Sequence, residues 1–160
     1  MKTLFLVRHA SAEINAMAQD IERNLDETGK REAAILGEHF AKLKVKPQSA
    51  LVSPANRTMQ TFEKAFNQNN GAAPIAVKVV PKLYNAHYLT ILEQVQQTDD
   101  AVEHLLVVAH NPGLSQLASF ICKQDNGFQL PTSGMLMFQS KANKWSELKD
   151  GSCKLIQKWY

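Results

Sequence analysis

Arginines and histidines recur in one kind of place along this chain. Arg8 and His9 follow the apolar run Leu4 to Val7, and His110 follows the run Leu105 to Ala109. Arg57 comes shortly after the apolar Ala50-Leu51-Val52. A histidine can act as a nucleophile at neutral pH, because its ordinary pKa of about 6.5 leaves a ring nitrogen unprotonated. Arginine's planar fork offers paired hydrogen bonds to an oxyanion, which the point charge of lysine does not. If the apolar runs are strands of an open α/β sheet, their carboxyl ends open on the crevice where such sheets bind ligands. Ser53-Pro54 and Asn111-Pro112 then read as helix starts, each a capping side chain followed by a proline whose missing N–H is not needed there. Two helix N-termini would aim free N–H groups and positive dipole ends into that crevice. Everything converging there is cationic or a donor, so the expected occupant is a phosphate or a similar oxyanion. Taken singly, each residue has a plainer reading. A histidine at a strand end is ordinarily a half-buried, hydrogen-bonded residue, and an arginine on a helix is ordinarily half of a surface ion pair. Shared placement is what argues for a site. His39, His87 and His104 occupy no such strand end and read as structural.

The elements that must position these residues follow from the hydrophobic period. Short apolar runs alternate with amphipathic stretches, the pattern of strands separated by helices in an α/β layer fold. Leu4 to Val7 and Leu105 to Ala109 are apolar at consecutive positions, as central strands are when helices cover both faces of the sheet. From Gly29 onward Ala33, Leu36, Phe40 and Leu43 form a helical stripe that Pro47 closes. A helix from Ser53-Pro54 carries Ala55, Met59, Phe62 and Phe66, and one from Asn111-Pro112 carries Leu114, Leu117, Ala118 and Ile121. Ala76 to Val80 reads as a strand, Leu89 to Gln97 as a helix with Leu92 and Val95 inward, and Gln68 to Pro74 as the clearest loop. Met135 to Phe138 and Lys154 to Trp159 close the chain as strands, the last of them an edge. Neither a repeat nor a linker interrupts the pattern, so residues 1–160 are expected to form one domain.

Composition narrows the classes further. A length of 160 residues suits a single domain. With 44% hydrophobic and 21% charged residues, disordered, collagen-like and coiled-coil classes are excluded. Lys and Arg number 18 against 15 Asp and Glu, and the +3 balance is interleaved along the chain, which argues against nucleic acid or an anionic membrane as partner. Arg8 and His9 stop the first apolar run short of a secretion signal, and no run approaches the roughly 18 residues of a membrane span, so a cytoplasmic protein is expected. Cys122 and Cys153 lack CxxC spacing and read as buried thiols in a reducing compartment. The histidines form no HxH, HExxH or HxxE pattern, so neither a metal site nor another cofactor is expected.

Three strings give the combination a family. Leu6-Val7-Arg8-His9-Ala10, Ser53-Pro54-Ala55-Asn56-Arg57-Thr58-Met59-Gln60-Thr61 and Val107-Val108-Ala109-His110-Asn111-Pro112-Gly113 occur in this order. Together they resemble the histidine phosphatase superfamily, related to phosphoglycerate mutase, whose first signature is Arg-His-Gly. Arg23-Asn24-Leu25-Asp26-Glu27-Thr28-Gly29 looks like that family's approach to its first helix. The short chain and the His-Asn-Pro-Gly string are most similar to SixA-type phosphohistidine phosphatases, since larger relatives carry insertions that close over small substrates. The resemblance implies an α/β three-layer sandwich, with a mostly parallel central sheet and helices on both faces. It implies a nucleophile at His9, phosphate binding by Arg8 and Arg57, and His110 as a further donor to the phosphoryl group. Asn15 falls where some relatives place a phosphate-binding Asn, and Asn111 would contribute its backbone N–H. The implied chemistry needs no metal, because catalysis is mostly positioning and charge stabilisation of the phosphoryl oxygens. Two arginines beside His9 are also expected to lower its pKa.

Two departures from the family pattern matter. Ala10 replaces the signature glycine, which is harmless only if φ there is negative. Many relatives carry a Glu general acid in a stretch resembling Leu-x-Glu-x-His-Tyr, whereas Leu83-Tyr84-Asn85-Ala86-His87-Tyr88 has Asn85 in that place. An amide cannot protonate a departing alkoxide. Imidazole is a better leaving group than an alcohol, so the departure favours phosphohistidine in a protein as substrate, and His87 as a substitute acid is the less favoured reading. A small-molecule phosphomonoesterase and a phospho-ligand binding module without turnover are the alternative readings.

Overall fold

Residues Lys2 to Val7 are buried without interruption, which only a strand covered on both faces allows. They belong to β1 (Lys2–Arg8), and the computed structural model, which describes residues 1–67, 73–124 and 126–160, shows what covers them. The chain continues through α1 (Glu27–Lys42), β2 (Ser49–Val52), α2 (Asn56–Phe66), β3 (Ala76–Val79) and α3 (Tyr88–Gln96). It then forms β4 (His104–Ala109), α4 (Gly113–Ile121), β5 (Met135–Ser140) and β6 (Cys153–Trp159). The strands make one six-stranded sheet in the order β3-β2-β4-β1-β5-β6. From β3 to β1 neighbouring strands run parallel, whereas β5 is antiparallel to β1 and β6 to β5.

Alternation along the central strands divides the core in two. Leu4 and Leu6 of β1, with Leu105 and Val107 of β4, pack with Leu92 and Val95 of α3 and Leu114 and Leu117 of α4. Phe5, Val7, Leu106 and Val108 face the other way, onto Leu36 of α1 and Phe62 and Phe66 of α2. Helices therefore cover both faces, and the fold is the expected three-layer α/β arrangement. The helical stripe of α1 is buried at Ala33 and Leu36, and that of α4 at Leu114, Leu117, Ala118 and Ile121. β3 is exposed along its length, as an edge strand.

Both expected helix starts are displaced, the first by two residues and the second by one. Ser53 does not cap α2, which begins at Asn56 with Ala55 as its N-cap residue and no side-chain cap. Ser53 is fully buried, and its hydroxyl is used elsewhere, as described below. At the other proline start, α4 begins at Gly113 with Pro112, not Asn111, as its N-cap residue, and the Asn111 side-chain oxygen accepts from the Ser115 N–H at 3.1 Å from one position further out. Of the expected Gln68 to Pro74 loop, residues 68–72 lie outside the described residues. Cys122 and Cys153 are free thiols, Cys122 buried as expected but Cys153 only half-buried, because it opens the edge strand β6. No helix among the described residues is long and apolar enough to cross a membrane.

Candidate active site

Strand register sets the floor of the site. β1 and β4 pair with Arg8 opposite Ala109, and β4 pairs with β2 so that Val52 lies opposite Val108. The residues that leave these three strands, His9, His110 and Ser53, therefore emerge side by side at one sheet edge. The His9 N–H donates to the Ala109 carbonyl at 3.2 Å, and the Ser53 N–H to the Val108 carbonyl at 3.0 Å. The two imidazoles lie 5.4 Å apart between ring centroids. Arg57 stands in the first turn of α2, buried to 4% exposure. Its positive charge reaches both histidines. Arg8, His9, Arg57 and His110 are thus brought together.

The turn after His9 is pinned from both neighbouring helices. The Ala10 N–H donates to Thr61 Oγ1 at 2.9 Å, and Thr61 in turn donates to the Arg57 carbonyl at 2.7 Å. The Ser11 N–H donates to Glu32 on α1, and Ser11 Oγ donates to Asp26, which caps the same helix through the Gly29 N–H. A Cβ on Gly29 would sit 1.9 Å from the Ser11 carbonyl oxygen, so glycine is what lets the first turn of α1 approach this loop. Ala10 is fully buried, and among the described non-glycine residues only Asn85 and Ser133 have positive φ. Alanine in place of the signature glycine therefore costs no backbone strain.

A hydrogen bond also sets the tautomer of His9, and burial lowers the pKa of both imidazoles. His9 Nδ1 lies 2.7 Å from the Ala10 carbonyl, an acceptor only, so Nδ1 carries the proton and Nε2 keeps its lone pair. Burial is the largest influence on His9 and pushes its pKa down to about 4, with Arg57 and Arg8 adding to the effect and the Ala10 contact opposing it. The arginines contribute as expected, but desolvation outweighs them. His110 is pushed down to about 3, again chiefly by burial and next by Arg57. Its Nε2 lies 2.7 Å from Ser53 Oγ, the contact that takes Ser53 away from α2. Three buried polar atoms at this edge lack a protein partner among the described residues: Arg8 Nε, His110 Nδ1 and Ser133 Oγ. Arg8 Nη1 donates to the Leu130 carbonyl at 3.3 Å.

The remaining expected residues are distributed unevenly. Asn111 is held beside Arg8 through a shared acceptor, its Nδ2 donating to the Leu130 carbonyl at 2.6 Å. Asn15 is exposed, and its amide oxygen accepts from the Met17 N–H at 3.0 Å in a local turn. None of its bonds reaches the four clustered residues. Asn85 is exposed with φ 47°, a backbone conformation asparagine tolerates well. His87 caps α3, its Nδ1 accepting from the Leu89 N–H.

Sequence reasoning missed Asp20, Tyr84, Ser133 and the hydroxyl of Ser53. Ser133 is tied in by its N–H, which donates to the carbonyls of Arg8 and His9. Only Ser53 carried a usable signal, since it leaves a strand adjacent in the sheet to the one that ends at His110.

The sequence profile of the histidine phosphatase superfamily (branch 1) matches residues 4–105. The chain belongs to that superfamily. Among solved structures, this histidine phosphatase is similar to a protein assigned as phosphohistidine phosphatase SixA from Nakamurella multipartitia, with TM-score 0.86, 21% identity, and 99% and 95% of the two chains covered. It is similar to a SixA assigned in the same way from Agrobacterium tumefaciens, with TM-score 0.80, 27% identity, and 99% and 98% covered. A third likeness is to the protein histidine phosphatase SixA complexed with tungstate, with TM-score 0.80, 25% identity, and 98% and 95% covered. The family and these neighbours make the chain a SixA-type member and support phosphatase activity on a phosphorylated substrate.

Proposed function

We propose that the protein is a metal-independent phosphatase that takes a phosphoryl group from phosphohistidine in a protein onto His9 and then hydrolyses it. The observation that carries this reading is the state of His9: Nδ1 is committed to the Ala10 carbonyl, and Nε2 is left as a free lone pair beside two arginines and a neutral His110. In the first step Nε2 forms a bond to phosphorus as the substrate's P–N bond breaks. Arg8 and Arg57 stabilise the charge on the equatorial oxygens, and His110 donates from Nδ1, its Nε2 then accepting from Ser53 Oγ. Water next attacks the phosphorus of phospho-His9, the new P–N bond breaks, and phosphate leaves with His9 restored. The site supplies its own positive charge, so no step calls on a metal.

Asn85 supports the choice of leaving group. A phosphorylated imidazole can carry a proton on its distal ring nitrogen and depart as neutral imidazole, whereas an alkoxide needs a donor. The exposed amide at position 85 supplies none. The SixA solved with tungstate supports an oxyanion in this kind of pocket.

The test is to offer a phosphohistidine-bearing protein and a simple alkyl phosphate in parallel, with and without a strong chelator, and to quench single turnovers for phosphoryl trapping. The expected result is faster transfer from phosphohistidine, no effect of chelation, inhibition by tungstate, and an acid-labile phosphoryl group on His9. Preference for the alkyl ester would remove the phosphohistidine assignment, and absence of trapped phosphate under single-turnover conditions would remove the nucleophile.

A further inference from the structure

Asp20 is tied to the site more heavily than any residue foreseen from the sequence except those that form it. It opens a short 3₁₀ turn, Asp20–Glu22, in the connection between β1 and α1. Arg57 Nη2 donates to Asp20 Oδ2 at 3.0 Å, and Arg57 Nη1 donates to the Asp20 carbonyl at 2.8 Å. The Tyr84 hydroxyl donates to the same Oδ2, and Arg23 Nη1 donates to Oδ1 at 2.9 Å. Tyr84 continues inward, its ring edge-on to His110 at 5.6 Å and its face 5.9 Å from the Arg57 guanidinium. One carboxylate thus touches one member of the phosphoryl site directly and reaches a second through Tyr84.

The geometry separates this contact from an ordinary surface pair. Arg57 is buried, and a buried guanidinium needs a counter-charge and satisfied donors. Asp20 is held in place to provide both. Arg23 Nε donates to the Glu13 carbonyl at 2.7 Å, Ala12 bridges Leu25, and Asn56 Nδ2 donates to the Glu22 carbonyl at 2.9 Å. The loop is thereby clamped against the start of α2. A guanidinium has five N–H donors. Asp20 takes one from each terminal nitrogen, and the rest of the fork is shared between Tyr84 and the space where an oxyanion would sit. Tyr84 and Arg23 hold the Asp20 carboxyl well below the usual carboxylate range, which makes it an acceptor at neutral pH rather than a replacement for the acid missing at Asn85.

We infer that Asp20 is the positioning residue of the phosphoryl site, orienting the Arg57 guanidinium directly and the Tyr84 ring against His110. The inference rests on the reading of Arg57 as a phosphoryl ligand. It carries a distinctive signature, because a carboxylate beside an anion site opposes the binding of the anion while it orders the group that binds the transition state. Charge and positioning therefore pull in opposite directions, and a substitution separates them.

The experiment measures kcat and KM for phosphoimidazole, the dissociation constant for tungstate, and thermal melting, in the unaltered protein and in Asp20→Asn, Asp20→Glu, Tyr84→Phe and His9→Ala. Asp20→Asn keeps the size and loses the charge. The expected result is a fall in kcat of about 10–100-fold, the scale of losing positioned electrostatic stabilisation, with tungstate bound as tightly as before or more tightly. Asp20→Glu should restore part of kcat, and Tyr84→Phe should lower it less than Asp20→Asn. A rise in both kcat and tungstate affinity would make Asp20 an occluding anion and overturn the inference. Unchanged kcat, or joint loss of turnover, tungstate binding and melting temperature, would overturn it too. Turnover surviving in His9→Ala would instead sink the nucleophile assignment, while the split between kcat and tungstate affinity in Asp20→Asn would still decide the role of Asp20.

Discussion

At the ends of β1, β2 and β4, Val7, Val52, Ser53, Ala109 and His110 are at most 2% exposed, while on the connections that follow β1 and β3 the residues Ile14, Asn15, Met17, Asn85 and His87 are exposed. The floor is held by strand pairing and by bonds between residues far apart in the chain. The rim is held by local turns, such as the Asn15 oxygen accepting from Met17 and His87 capping its own helix. Under the proposed mechanism, this difference divides the work. Phosphoryl chemistry needs groups fixed to fractions of an ångström, and parallel strand ends with buried neighbours provide that. Discrimination between leaving groups needs only that a proton donor be present or absent, and an exposed turn suffices for it. Asp20 is the exception, a rim residue that the clamped loop connects to the floor.

The largest effect should come from the floor. His9→Ala is expected to lower phosphohistidine turnover by at least about 10⁴-fold, the scale seen when a nucleophile is removed, with an unchanged circular dichroism spectrum. Retention of a hundredth of the activity would show that the floor does not supply the nucleophile. At the rim, Asn85→Glu should raise alkyl-ester turnover by up to about 10²-fold, the lower end of positioned acid catalysis, because the side chain is exposed. The positive φ there adds a strain of about 1–2 kcal/mol for glutamate. Phosphohistidine turnover should stay level or fall. A matching rise for both substrates would mean that the rim does not select the leaving group.

Smaller effects probe how the floor is held. Ser53→Ala removes the hydroxyl from His110 Nε2, and the loss of one buried hydrogen bond, about 1–2 kcal/mol, corresponds to a drop of about 10-fold in kcat/KM. An equal drop from Asn15→Ala would erase the distinction between floor and rim. Acidification should reveal the two buried imidazoles. Their folded pKa values, about 4 and about 3, lie below the value near 6.5 of an unfolded histidine, so the unfolded chain binds protons first as pH falls. The stability they contribute is complete above pH 6.5 and is lost progressively as pH falls toward the folded values, by at most about 1.4 kcal/mol per pH unit for each group. Melting temperature should therefore fall between pH 6.5 and pH 5, and less steeply in His9→Ala. Equal slopes in the two proteins would place the proton uptake elsewhere.

Much of the site was legible because the relevant signals are local. An apolar run names a strand, and the residue after it is at the strand's end whatever the rest of the chain does. Arg8, His9 and His110 are readable for that reason, and Arg57 because it falls in the first turn of a helix that follows another strand. Asn111 was legible as part of a helix start, although its side chain also reaches the Leu130 carbonyl. Ser53 was misread because two local meanings competed: serine before proline is a good cap, yet a neighbouring strand offered its hydroxyl a buried histidine.

From the sequence alone came the alternation of strands and helices, the faces of the helices, and the cationic character of the strand-end crevice, all consequences of side-chain period and residue type. Only the tertiary structure decided which side chains meet across it. Ser53 and His110 are 57 positions apart, and Asp20 and Arg57 are 37 apart, with no periodicity linking either pair. Both meetings depend on strand order and on how a loop is clamped, and these are set by packing summed over the whole sheet. Burial likewise belongs to the fold, and it is burial, more than the neighbouring arginines, that lowers the pKa of His9.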